Sequence, residues 1–115
     1  MDKGINKIIV EYVSAVAKQA PGFITSFVFG SYAKNTQKPT SDIDIALIID
    51  QLSDDEKFDL QVELILSASQ FDYRIEPHPL SNEDFNTYTP FSAEIKRTGI
   101  EVKTLITDNK DTLSK

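Results

Sequence analysis

The chain contains no cysteine and no tryptophan, and only one methionine and one histidine among its 115 residues. Without cysteine there are no disulfides and no thiolate metal sites. A lone histidine, His78, cannot supply the imidazole clusters that zinc prefers, so any metal chemistry falls to carboxylates, which suit magnesium or manganese. No apolar run approaches the roughly 20 residues of a membrane span, and nothing resembles a signal peptide. A cytoplasmic protein with no membrane partner is the expectation. Positive charge is also scarce: 12 Lys and Arg stand against 18 Asp and Glu, a net charge of −6. The first fifty residues are balanced, and the whole excess of acid lies in residues 51–115. A long nucleic acid needs a basic surface and is therefore not an expected partner. Lys34 and Lys38 are enough only for the phosphates of a nucleotide.

What is present is a hydrophobic content of 40% in a varied composition, which indicates one small globular domain with no room for a second lobe. Apolar residues from Ile5 to Ala17 recur at helical spacing, and Pro21-Gly22 ends a helix predicted over residues 3–20. Residues 23–29 read as a buried strand with Phe23, Phe27 and Phe29 on one face and Ile24 and Val28 on the other. A short helix at 31–36, a polar loop to Ser41 and a second strand at 42–50 follow. The connection between these strands is short, so they are expected to pair antiparallel. Ser53 and Glu56 form a capping-box pattern that opens a helix to about Ser69. Its stripe Phe58, Val62 and Ile65, broadened by Leu60, Leu64 and Ala68, predicts a well-buried helix. Residues 71–76 alternate as a third strand, stopped by Pro77 and Pro79. Two short helices, the second over 90–98, precede a strand or extended arm at 100–106, which completes a domain of residues 1–106. A polar, mobile tail at 107–115 is expected. This order of elements predicts an α/β (α+β) fold with helices packed on one sheet.

The chemistry concentrates at Gly30-Ser31 and, ten residues later, at Asp42-Ile43-Asp44. Both lie at strand ends. Alternation places Asp42 and Asp44 on the same face, where two carboxylates about 6 Å apart repel by about 3 kcal/mol at an effective dielectric near 20. A cation between them relieves that repulsion. Gly30 permits close backbone approach, Ser31 adds a hydroxyl, and the helix start behind them offers amide groups to an anion. Together these parts suit a nucleoside triphosphate with one or two Mg²⁺ ions.

Gly30-Ser31 with Asp42-Ile43-Asp44 resembles the signature of the DNA polymerase β-type nucleotidyltransferase superfamily. The surrounding Phe29-Gly30-Ser31-Tyr32-Ala33 and Ser41-Asp42-Ile43-Asp44-Ile45-Ala46 resemble its minimal nucleotidyltransferase (MNT) branch. That resemblance is strong over residues 23–50 and rests on element order over 51–106. It implies a palm with a small mixed sheet flanked by helices, ATP as substrate and a two-metal Mg²⁺ site. It implies transfer of AMP to a hydroxyl, such as a tyrosine of a partner HEPN toxin, by a chain acting as antitoxin in a homo- or hetero-oligomer. Asp42 and Asp44 are then catalytic metal ligands, with Glu76 as the third carboxylate and Asp72 as the alternative. Gly30, Ser31, Lys34 and Ser41 fall at the nucleotide phosphates. Lys34-Asn35 departs from the Arg-Gly that relatives commonly carry, and Glu76 from their usual Asp. His78, between two prolines, reads as a structural or exposed loop residue. Two other functions fit the same residues. One is a non-catalytic module that neutralises a helical partner. The other is the palm of a small-molecule nucleotidyltransferase whose acceptor domain lies on another chain.

Overall fold

The computed structural model describes residues 3–102, so the predicted tail at 107–115 and the last part of the 100–106 segment lie outside the described residues. Helix α1 (Lys3–Gln19) buries Ile9, Tyr12, Val13 and Val16, the face given by its apolar spacing. The Tyr12 hydroxyl donates to the Leu64 carbonyl at 3.0 Å, and burial pushes its pKa far above the ordinary phenol value. Strand β1 (Phe23–Phe29) then pairs antiparallel with β2 (Ile43–Ile49), as the short connection predicts. Between them the four-residue helix α2 (Ser31–Lys34) is closed by Asn35 in the left-handed conformation.

Helix α3 (Asp54–Ala68) begins with the predicted capping box of Ser53 and Glu56. It carries the chain back so that β3 (Ile75–Ser81) lies parallel to β2. Helices α4 (Asn82–Phe85) and α5 (Pro90–Thr98) lead to β4 (Ile100–Glu101), which pairs antiparallel with β1. The sheet has the order β3-β2-β1-β4. One face packs Val28, Ile43, Ile45, Leu47 and Ile75 against α1 and α3. The other gathers Phe29, Ala46, Ile48, Leu80 and Ile95, with Phe27 and Phe85 against them.

Three sequence expectations are corrected. The third strand starts at Ile75 and continues through both prolines, whereas residues 71–74 form the turn before it. Strand β3 is at the sheet edge, where a missing amide costs nothing if it points outward. The Pro77 carbonyl does point away from β2, accepting from Gln61 Nε2 of α3 at 3.3 Å. Phe23 packs with the Val28 face rather than with Phe27 and Phe29, because an irregularity between Phe23 and Thr25 resets the alternation. The helix predicted as well buried is covered on one side only. Leu64 and Ala68 are buried, whereas Phe58 is 72% exposed, Leu66 65%, Ile65 47% and Val62 41%.

Candidate active site

Asp44 is the second residue of β2 and stands in register with Glu76 of the parallel neighbour β3 and with Phe29 of β1. Alternation puts Asp44, Glu76 and His78 on one face of the sheet, the face that holds Phe29 and α5. Asp42 enters from the loop just ahead of β2. Its carboxyl is hydrogen-bonded to that of Glu76, and this contact above all raises the Glu76 pKa over the usual carboxylate range. Partial burial and the charges of Asp44 and Asp42 push the same way, while His78 opposes them. Ligand atoms of Asp44, Glu76 and His78 all lie within 4.8 Å of one another. Carboxylates crowded in this way repel one another, and a bound cation relieves that repulsion. Hard oxygen donors converging in this way fit a divalent cation.

Gly30 closes the site from β1. Its backbone is at φ 72°, and a Cβ placed there would sit 2.6 Å from Asp44 Oδ2. Glycine is therefore favoured by both conformation and space, and the close approach the sequence suggests is to the Asp44 carboxylate. Ser31 follows at the first turn of α2.

The other predicted site residues are engaged elsewhere. Lys34 Nζ pairs with Glu94 Oε2 of α5 at 2.9 Å. The Ser41 hydroxyl accepts from the Lys38 amide at 2.8 Å, the turn role that its position also allows. Asp72, the alternative third acid, is held by Arg74 through Nη2–Oδ2 at 2.8 Å and Nε–Oδ1 at 3.0 Å. That bidentate contact keeps the Asp72 carboxyl below its ordinary pKa and raises that of Arg74. Arg74 Nη1 also donates to the hydroxyl of Tyr32, a buried residue that packs in the core. Of the two candidates, Glu76 is the one brought to Asp42 and Asp44.

His78 is the residue that sequence reasoning missed. Its Nε2 is 3.1 Å from Asp44 Oδ1 and 3.7 Å from Glu76 Oε1. Its ring meets Phe29 edge-on at 5.1 Å and lies tilted 6.1 Å from Phe91. The signal was its spacing of two from Glu76, which is lost once the strand is ended at Pro77. A cavity of about 280 Å³ lies elsewhere, past the far end of β2, lined by Val16, Asp50, Leu60 and Glu63 among others. The Asp44 side chain is 25% exposed and that of Glu76 48%.

A mixed sheet with helices on both faces and paired acids entering one central strand defines the class as a nucleotidyltransferase fold. The family model for polymerase beta nucleotidyltransferases matches residues 11–112, and the chain belongs to that family. Solved structures share the fold. A protein from Sulfolobus solfataricus, described as a nucleotidyltransferase, is 23% identical with a TM-score of 0.58, over 84% of this chain and 77% of its own. A toxin–antitoxin structure with AMP-PNP is 19% identical, TM-score 0.56, covering 95% and 90% of the two chains. A mutant of the toxin–antitoxin MntA–HpeT is also 19% identical, TM-score 0.58, covering 90% and 88%. At such identities the likeness is one of fold. None of the curated proteins matches the chain. Among the described residues, no helix is long and apolar enough to cross a membrane.

Proposed function

We propose that the chain transfers AMP from ATP to a hydroxyl of a partner protein, a tyrosine of a HEPN toxin, and acts as its antitoxin. The observation that carries this reading is the convergence of Asp42, Asp44 and Glu76 beside the Gly30-Ser31 turn. Asp42, Asp44 and Glu76 would hold Mg²⁺, which when bound neutralises the triphosphate and the departing pyrophosphate. In the transfer, the acceptor oxygen bonds to the α-phosphorus and the bond from that phosphorus to the pyrophosphate oxygen breaks. The hydroxyl proton passes to the Glu76 carboxylate, which acts as general base. Gly30 and Ser31 contact the phosphates. Lys34 joins them by exchanging Glu94 for phosphate, and Ser41 acts indirectly by shaping the loop that delivers Asp42.

A protein as acceptor is supported by α3. Its outer stripe is apolar, and the helix carries five acids (Asp54, Asp55, Glu56, Asp59, Glu63) against the single cation Lys57. A second copy would set like charge against like charge, so the surface suits a partner with an apolar face rimmed by Lys and Arg. Incubation with α-labelled ATP, Mg²⁺ and a HEPN-domain toxin is expected to label that toxin. Absence of label, or equal labelling by Asp44→Ala, rejects the transfer reading.

The same stripe also favours a second reading, a non-catalytic antitoxin that works by burial of its partner alone. The engagement of Lys34 with Glu94 is in keeping with it. Full protection against the toxin by an Asp42→Ala/Asp44→Ala double variant would select this reading over transfer.

A further inference from the structure

His78 occupies a position in the acid cluster that a merely structural histidine would not need. Strand β3 places Glu76 and His78 on one face, and β2 presents Asp44 across from them. Adjacent ligands of a six-coordinate ion bound at about 2.1 Å are roughly 3 Å apart. The separations from His78 Nε2, 3.1 Å to Asp44 and 3.7 Å to Glu76, approach that spacing. The flanking rings of Phe29 and Phe91 fix the imidazole plane, so Nε2 is held toward the carboxylates before any ion arrives.

We infer that His78 is itself a ligand of the metal held by Asp44 and Glu76, making a mixed carboxylate–imidazole site that takes Mn²⁺ in preference to Mg²⁺. The inference rests on the nucleotidyl-transfer reading of this cluster. Magnesium keeps its waters and binds oxygen, whereas imidazole nitrogen favours transition metals, so one nitrogen in the set shifts selectivity without enlarging the site. The competing role is a hydrogen bond that orients Asp44 while the ion takes oxygen alone. The two roles differ in whether nitrogen is bonded to the ion.

The chain has a single histidine, so any imidazole signal from untagged protein belongs to His78. Pulsed electron paramagnetic resonance of the full chain with Mn²⁺ and no nucleotide is expected to show coupling to a directly bound nitrogen. The His78→Gln variant is expected to lose that coupling and to bind Mn²⁺ about ten-fold or more weakly. Its Mg²⁺ affinity, read by competition, stays within about two-fold of wild type. Mn²⁺ bound by the wild type without nitrogen coupling overturns the ligation by His78 and leaves the transfer reading standing. A wild type that binds no Mn²⁺, with or without ATP, overturns both.

Discussion

Two groups of acids flank the start of β3, only a few residues apart, and they are built on opposite principles. Asp72 has a dedicated cation: Arg74 grips both of its oxygens, and its pKa falls. Glu76 has other carboxylates for neighbours: Asp42 and Asp44 crowd it, and its pKa rises. A matched pair of charges holds the chain in place. A cluster of like charges costs stability, and a fold keeps one where a cation is to be bound. The difference separates a structural acid from a functional one more sharply than burial does. The Asp72 side chain is only 11% exposed, yet it is the half-exposed Glu76 that stands among the other carboxylates.

The largest expected effect is on transfer. Asp44→Asn should lower labelling of the acceptor on the order of 10³-fold, as loss of a principal electrostatic group does, while leaving the melting temperature of the metal-free protein unchanged or raised. Asp72→Asn should do the reverse. It leaves the Arg74 guanidinium without its partner and is expected to cost about 1–3 kcal/mol by denaturant unfolding at pH 7, with transfer retained. The Asp72 contribution is present above the unfolded pKa of 3.8 and is lost as pH falls through the lower folded value. The gap in stability between wild type and Asp72→Asn should therefore close in acid. A variant that keeps the full gap well below that pH would break the assignment.

Gly30→Ala tests the turn that joins β1 to the site. It combines a left-handed backbone with a Cβ 2.6 Å from Asp44 Oδ2. It is expected to destabilise by about 1–2 kcal/mol and to displace the Asp44 carboxylate, so transfer falls too. Glu76→Gln should have a smaller and opposite effect on stability. The raised pKa means that the Glu76 contribution is present below the unfolded value of 4.5 and is lost as pH rises through the folded one. The metal-free variant should accordingly melt higher than wild type at neutral pH, and lower relative to it in acid. Smallest of all, Phe58→Ser on the outer face of α3 should change the stability of the isolated chain by no more than about 0.5 kcal/mol. The complex with the partner should nevertheless weaken clearly in a binding assay. Unchanged binding would remove α3 from the interface.

Much of this was legible in the sequence because local rules and tertiary structure agree there. The α1 spacing, the Ser53–Glu56 cap and the short connection between β1 and β2 each predict what forms. Asp42, Asp44 and Gly30 were legible because two-residue alternation and a glycine turn are local signals. The errors arose where a local rule depended on a neighbour. Prolines end a central strand but not an edge strand, so a reading that stops β3 at Pro77 puts His78 in a loop. An irregularity in β1 moved Phe23 to the opposite face. The apolar stripe of α3 predicted burial, and in the chain by itself that stripe faces outward. Lys34 met Glu94, a contact that no spacing along the chain could foretell.

The contrast between the two acid groups is tested most directly by the metal-induced change in melting temperature of wild type, Asp72→Asn and Asp44→Asn, titrated with Mn²⁺. The account predicts that wild type and Asp72→Asn gain the same stabilisation from the ion, from different starting temperatures, and that Asp44→Asn gains little. Equal metal stabilisation of Asp44→Asn and wild type, or its loss in Asp72→Asn, would contradict it.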